Sequence, residues 1–225
     1  MTILAIDTSE SHCSAALLLA DGSAAYRMED IGRGHAERLL PMIEELLAET
    51  GQIYSDLIRI AVVTGPGTFT GLRIGLSVAR GLALSLDIPC VGLRSLPVLA
   101  ASIMGDTEQT VHVVTKGRGG QVFYQAYQGV NEERLPQPLS EPVNVDLDEV
   151  VAAINKCPGL VGGSGADLLV DLEGIVEVSK IVAVDPSVLA RLSQNQDPVL
   201  YPPEPCYLRQ ADAIKAKAVF QVRTD

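Results

Sequence analysis

Apolar residues fall along this chain in two rhythms, short continuous runs and a helical recurrence. Residues 3–6 and 14–19 are short apolar runs that predict buried strands, and Asp21-Gly22 is a hairpin-turn signal before a third strand over 24–29. After a loop at 32–34 the period becomes helical, with Leu39, Leu40, Ile43, Leu46 and Leu47 on a helix over 35–50 and Gly51 as its stop. Pro41 lacks the donor that a helix interior needs, which places it near the first turn or at a kink. A strand over 57–63, a glycine turn, a helix over 71–86 and a strand over 89–93 follow. That order predicts an α/β layer with an N-terminal antiparallel meander.

The most informative stretch is Gly65-Pro66-Gly67-Thr68-Phe69-Thr70-Gly71-Leu72-Arg73. Gly65 and Gly67 suit positive φ or a close backbone approach, and Pro66 stiffens the turn between them. Such a turn at a helix N-terminus presents backbone N–H groups to an anion or to a partner's carboxylate. No Lys-Ser/Thr pair follows the glycines, so it is not a P-loop. A tight strand-to-helix connection is the plainer reading. In the helix, Gly71, Gly75, Ala79 and Ala83 recur every fourth residue and form one stripe of small side chains. A helix-interior glycine costs about 1 kcal/mol, which close approach of another helix, from this chain or a second one, would offset. Leu72, Ile74, Leu76, Val78, Leu82 and Leu86 flank the stripe. The helix is apolar almost all round and calls for burial, in the core or at a subunit interface.

A polar change between Met104 and Thr110 marks a boundary between two lobes, 1–104 and 105–225. Beyond it, 111–115 and 121–128 read as strands joined by Lys116-Gly117-Arg118-Gly119-Gly120, and 131–142 as a polar loop. Residues 146–155 read as a helix with acidic residues in its first turn, and Leu160 to Gly165 as a strand running into a glycine turn. Asp185-Pro186 is an N-cap followed by Pro at the first helical position, opening a helix to about Asn195. Residues 198–205 read as an extended Pro-rich connector, and no internal repeat is visible.

The formal net charge of −11 argues against a free-standing nucleic-acid binder, although a partner could supply the basic surface. Trp is absent and aromatics are 4% of the chain, too few for single-strand stacking platforms. Cys13, Cys90, Cys157 and Cys206 form no CxxC pair and suit a reducing compartment. His12, His35 and His112 form no local zinc pattern. The longest apolar helix carries Arg73 and Arg80, and no secretory signal precedes residue 3, so a soluble, cytoplasmic chain without a membrane anchor is expected.

Ile3-Leu4-Ala5-Ile6-Asp7-Thr8-Ser9, His35-Ala36-Glu37-Arg38-Leu39-Leu40-Pro41, the glycine turn with its helix, and Pro205-Cys206-Tyr207-Leu208-Arg209 together resemble the TsaB (YeaZ-type) family. The resemblance is strong over residues 1–100 and patchier beyond. It implies an actin/Hsp70-like (ASKHA) two-lobed α/β fold, each lobe a mixed sheet flanked by helices, with a degenerate nucleotide site. It also implies a required, non-catalytic subunit that binds the paralogue TsaD, and with it the ATPase TsaE. In that scheme TsaD transfers a threonylcarbamoyl group to N6 of adenosine 37 of tRNAs that read ANN codons. The chain would form a homodimer in isolation and meet tRNA only through the complex. The partner interface is expected on Leu39, Ile43, Leu46, Gly71, Leu72, Gly75, Ala79 and Ala83.

Absent residues point the same way. TsaD-like proteins carry a His-x-x-x-His metal pair where this chain has Ser95 and Leu99, and a hydroxyl and an alkyl chain cannot replace two imidazoles. No catalytic residue, metal or cofactor is therefore expected. Asp7-Thr8-Ser9 resembles the first phosphate loop of actin-like ATPases, and Gly162-Gly163-Ser164-Gly165 the adenosine loop. An ATP-binding actin-like enzyme is the alternative these loops leave open; a capped turn and strand-to-helix packing explain them equally. Where the family reads acidic residues, this chain has Lys116 and Gln121 around Arg118, which removes the carboxylates that would pair with that arginine.

Overall fold

Strand β1 (Thr2–Asp7) is buried along its whole length and lies at the centre of the first sheet. In the computed structural model, which describes residues 1–105, 109–170 and 177–208, it pairs antiparallel with β2 (His12–Leu18) and parallel with β4 (Leu57–Gly65). β3 (Ala24–Asp30) and β5 (Cys90–Arg94) complete the order β3-β2-β1-β4-β5. Helices α1 (His35–Thr50) and α2 (Phe69–Leu86) cover one face, where Leu4, Ile6 and Val62 meet Leu39, Ile43, Leu46, Leu76 and Ala79. Pro41 lies inside α1, in its second turn and exposed to solvent, so the carbonyl of Glu37 loses its helical donor to the proline ring rather than the helix ending there.

The second sheet repeats the first without any visible sequence repeat. β6 (Thr110–Lys116), β7 (Val122–Val130), β8 (Pro136–Pro138), β10 (Gly159–Gly162) and β11 (Glu177–Val178) run in the order β11-β10-β6-β7-β8. Three antiparallel strands and two parallel ones are joined as in the first sheet. The segment expected to be a loop, 131–142, contains β8, whose two prolines suit an edge position because neither has a donor to offer. β9 (Val143–Val145) adds to β7, and α4 (Leu147–Lys156) covers the outer face.

Between the sheets lie α3 (Ser95–Met104) and α5 (Pro186–Ser193). α3 leaves the first sheet and packs mainly on the second, while α5 leaves the second and packs on β1 and β2. α5 opens as the sequence predicts, with Asp185 accepting from the Ser187 N–H at 2.8 Å and Pro186 in its first turn, but it ends at Ser193.

α2 is long and apolar enough, at mean hydropathy 1.2, to cross a membrane by length and composition alone. Its small-residue stripe is nevertheless buried against its own sheet. A Cβ on Gly71 would stand 2.0 Å from the Thr8 carbonyl oxygen, and one on Gly75 would stand 2.6 Å from Thr8 Oγ1. The close neighbour is thus the β1–β2 turn, and the Thr8 hydroxyl donates to the Gly71 carbonyl at 2.7 Å across the contact.

Gly71→Ala is expected to lower unfolding stability by at least about 2 kcal/mol in urea titrations, because the opposing atom is backbone and cannot give way. Leu84→Ser, at a position 85% exposed on the same helix, should stay within about 0.5 kcal/mol of the parent. Equal midpoints for the two variants would contradict the close packing of the stripe.

Candidate functional site

The carboxyl ends of β1 and β6 face each other across the seam between the sheets, and the loops with candidate chemistry converge there. Asp7 ends β1 almost fully buried, its Oδ1 accepting the Ser9 N–H at 2.8 Å. Burial raises its carboxyl above the ordinary range against the lowering effect of that hydrogen bond. Glu10, the next acid along, reaches across the seam. Ser164 Oγ donates to Glu10 Oε1 at 3.0 Å and accepts the Lys116 N–H at 3.0 Å. Burial pushes Glu10 up to about 7, with the charge of Asp7 acting in the same direction.

Many backbone donors of these loops are already engaged. The Thr68 N–H donates to the Ser9 carbonyl at 2.6 Å, and the Gly163 and Gly165 N–H groups donate to Ile181 and Val114. A Cβ on Gly162 would meet Ile103, and one on Gly163, where φ is +101°, would meet the Val114 carbonyl. The 162–165 glycines therefore let this turn lie directly on β6 and α3. Asp7, Thr8, Ser9, Gly162, Gly163 and Gly165 are brought to one place, but Thr8 is held by α2 and Glu10 stands among them. Glu10 carries no sequence signal beyond following Asp7-Thr8-Ser9; its partner is 154 residues away.

The donor set does not fit a transition metal. Ser95 Oγ donates to the Pro66 carbonyl at 2.8 Å, and Leu99 is buried in the central layer. Among the described residues no group of three or more His, Cys, Asp or Glu side chains could hold a metal ion. His112 serves packing: its ring bonds Tyr124 Oη at 2.9 Å and the Cys157 carbonyl at 2.7 Å, and burial holds its pKa below the usual value. The departure around Arg118 is compensated locally. Lys116 Nζ pairs with Asp167 at 2.7 Å, Asn144 donates to Gln121 at 2.8 Å, and Arg118 is itself engaged.

The eight residues expected at a partner interface, Leu39, Ile43, Leu46, Gly71, Leu72, Gly75, Ala79 and Ala83, all lie buried within the chain. The period located the apolar sides of these helices, and those sides face their own sheet. The outward side of the pair is different. On α2 it carries Arg73, Ser77, Arg80 and Leu84, with Ile74, Val78 and Leu82 half-buried beside them; on α1 it carries Leu40 and Glu44. At its N-terminal end Arg73 lies 3.7 Å over the Phe69 ring, and Phe69 packs on Tyr207 at 5.2 Å between centroids. Tyr207 arrives from the C-terminal motif, where the Cys206 N–H donates to the Thr64 carbonyl at 2.7 Å; Arg209 lies outside the described residues.

Two sheets of one connectivity, exchanged helices between them, and a loop-lined seam define an actin/Hsp70-like two-lobed fold. The family described as TsaD, tRNA N6-adenosine threonylcarbamoyltransferase, matches residues 29–163, and the chain belongs to that family. Within it the chain is of the TsaB/YeaZ type. It is 38% identical over 129 residues to the tRNA threonylcarbamoyladenosine biosynthesis protein TsaB of Escherichia coli, covering 57% of this chain and 55% of that protein. The Bacillus subtilis protein of the same name is 38% identical over 139 residues, covering 60% of each. These matches thus span little more than half the length of the curated relatives. The solved YeaZ structure from Pseudomonas aeruginosa superposes with a TM-score of 0.76 at 28% identity, over 92% of this chain and 99% of that one.

Because Glu10 has its folded pKa raised from 4.5 to about 7, it favours the folded state when protonated, and that contribution is lost as pH rises between those values. Glu10→Gln, which keeps the hydrogen bond to Ser164 without the charge, should raise stability at pH 8 by about 1–2 kcal/mol, discounted for the solvent that reaches the carboxylate. Its gain at pH 4.5 should be near zero. An equal effect at both pH values in urea unfolding would contradict this environment for Glu10.

Proposed function

We propose that this chain is a non-catalytic subunit that binds a TsaD-type transferase, and with it TsaE, for threonylcarbamoyl transfer to N6 of adenosine 37 of tRNAs reading ANN codons. The observation that carries the reading is the outward side of α1 and α2. Leu84 is 85% exposed there, Ile74, Val78 and Leu82 are half-buried, and among the described residues Arg73 and Arg80 form no ion pair. Apolar side chains ringed by charges suit a protein surface. Arg73 and Arg80 of α2 and Glu37 and Glu44 of α1, all exposed, give the two helices both signs of charge, which suits a paralogous helix pair or, when that is scarce, a second copy of this chain.

The seam supports the non-catalytic part. A carboxylate at Glu10 would oppose a phosphate, and the engaged loop amides leave less of a cradle for one. An ATP-binding enzyme, the competing reading, would require Glu10 and Ser164 to part. The net charge of −11 supports contact with tRNA through the complex rather than by this chain alone, and such a role fits a cytoplasmic protein.

Co-expression with a TsaD-type paralogue from the same source should give a co-purifying pair, with transfer activity present only when both are mixed. Leu84→Glu should weaken that association at least about tenfold without changing the melting temperature, since the side chain is exposed in the free chain. Activity of either protein alone, or unchanged pairing of Leu84→Glu, would overturn the reading.

A further inference from the structure

A cavity of about 330 Å³ lies away from the seam, beside the carboxyl ends of β4 and β5. The start of α3, the end of α5, the connector after α5 and Leu135 complete its walls. Leu93, Val98, Leu192 and Leu200 give it a branched, apolar lining. The connector is held in place. The Gly92 N–H donates to the Tyr201 carbonyl at 2.9 Å, the Cys206 N–H bonds Thr64, and Tyr201 Oη donates to the Glu133 carboxylate. A Cβ at Gly92 would stand 2.5 Å from the Pro202 carbonyl oxygen, so this wall depends on a glycine beneath it.

Two residues of opposite charge, Arg94 and Glu204, also line the cavity. Among the described residues neither forms an ion pair, with the other or with any further side chain. Both residues are exposed where they line the cavity, and their charges do not neutralise each other. Cavities of this size, mostly apolar with a few convergent polar groups, are the usual form of small-molecule sites. A purely apolar ligand would leave both charges idle, and a phosphorylated one would set its negative charge against Glu204.

We infer that this cavity binds a free α-amino acid with a branched apolar side chain, of about the size of leucine. Arg94 holds the carboxylate, with the fork geometry that suits guanidinium to that group. Glu204 holds the ammonium, and Leu93, Val98, Leu192 and Leu200 enclose the side chain. The ligand's own two charges bridge the gap between Arg94 and Glu204. The site is separate from the outward side of α1 and α2 and does not depend on the partner proposed for it.

Isothermal titration calorimetry of the full chain with L-leucine tests this, with leucinamide and 4-methylpentanoate as probes that each lack one charge. Saturable leucine binding in the millimolar range is expected, with each probe weaker by about tenfold or more. Arg94→Gln and Glu204→Gln, both at exposed positions, should each weaken leucine about tenfold at unchanged melting temperature. Absence of saturable heat with leucine, equal binding of either single-charge probe, or undiminished binding by the two variants would each overturn the inference.

Discussion

The exchange of helices between the two sheets is the constraint on which the rest of the structure depends. α3 and α5 lie in one central core with Ala5, Ala61 and Val63 from the first sheet and Val111, Val113 and Phe123 from the second. Each sheet uses a helix from the other half of the chain to cover its inner face, so neither buries that face alone. The same arrangement fixes the ends of β1 and β6 relative to each other. Glu10 can therefore meet Ser164 across the seam through one hydrogen bond.

A second consequence concerns the loops. The turn after β1 and the glycine turn after β10 are the two stretches whose residues resemble the phosphate and adenosine loops of actin-like ATPases. Here Thr8 is tied to Gly71, Ser9 to Thr68, and the 163–165 turn to β6, so the loops stabilise the fold with the same groups that would otherwise cradle a ligand. Among the described residues, buried hydroxyls of Ser9, Ser14 and Thr115 have no hydrogen-bond partner there. α1 and α2 keep their apolar sides inward, and α2 presents Arg73, Ser77, Arg80 and Leu84 to solvent.

Much of this was legible in the sequence, and the failures have physical causes. The meander, α1, the strand-turn-helix unit and the Asp185-Pro186 cap follow from local patterns that the fold leaves intact. α3 shows no period because both its sides are covered, which makes a buried helix look like any apolar run. The Gly71–Ala83 spacing announces a close neighbour but cannot say which; at Gly71 and Gly75 it is Thr8 of the β1–β2 turn. The duplicated topology is hidden because the second sheet ends in a two-residue strand, and a short 3₁₀ turn at Ala166–Leu169 follows β10 where α2 follows β4. Glu10 and the Phe69–Arg73–Tyr207 cluster join residues too far apart in sequence for any window to connect.

The connector after α5 has a bearing on solubility. An edge strand presents unpaired backbone groups that can recruit a strand from another molecule. On β5 the Gly92 N–H is taken by Tyr201, and the prolines that follow offer no donors of their own, so the middle of that edge is covered against a passing chain. The opposite edge, β3, carries Arg27, Glu29 and Asp30, of which Arg27 and Glu29 are tied to α1 by ion pairs. Between a Pro-rich strap and a charged border, a chain that is 47% hydrophobic guards its first sheet against growth by strand addition.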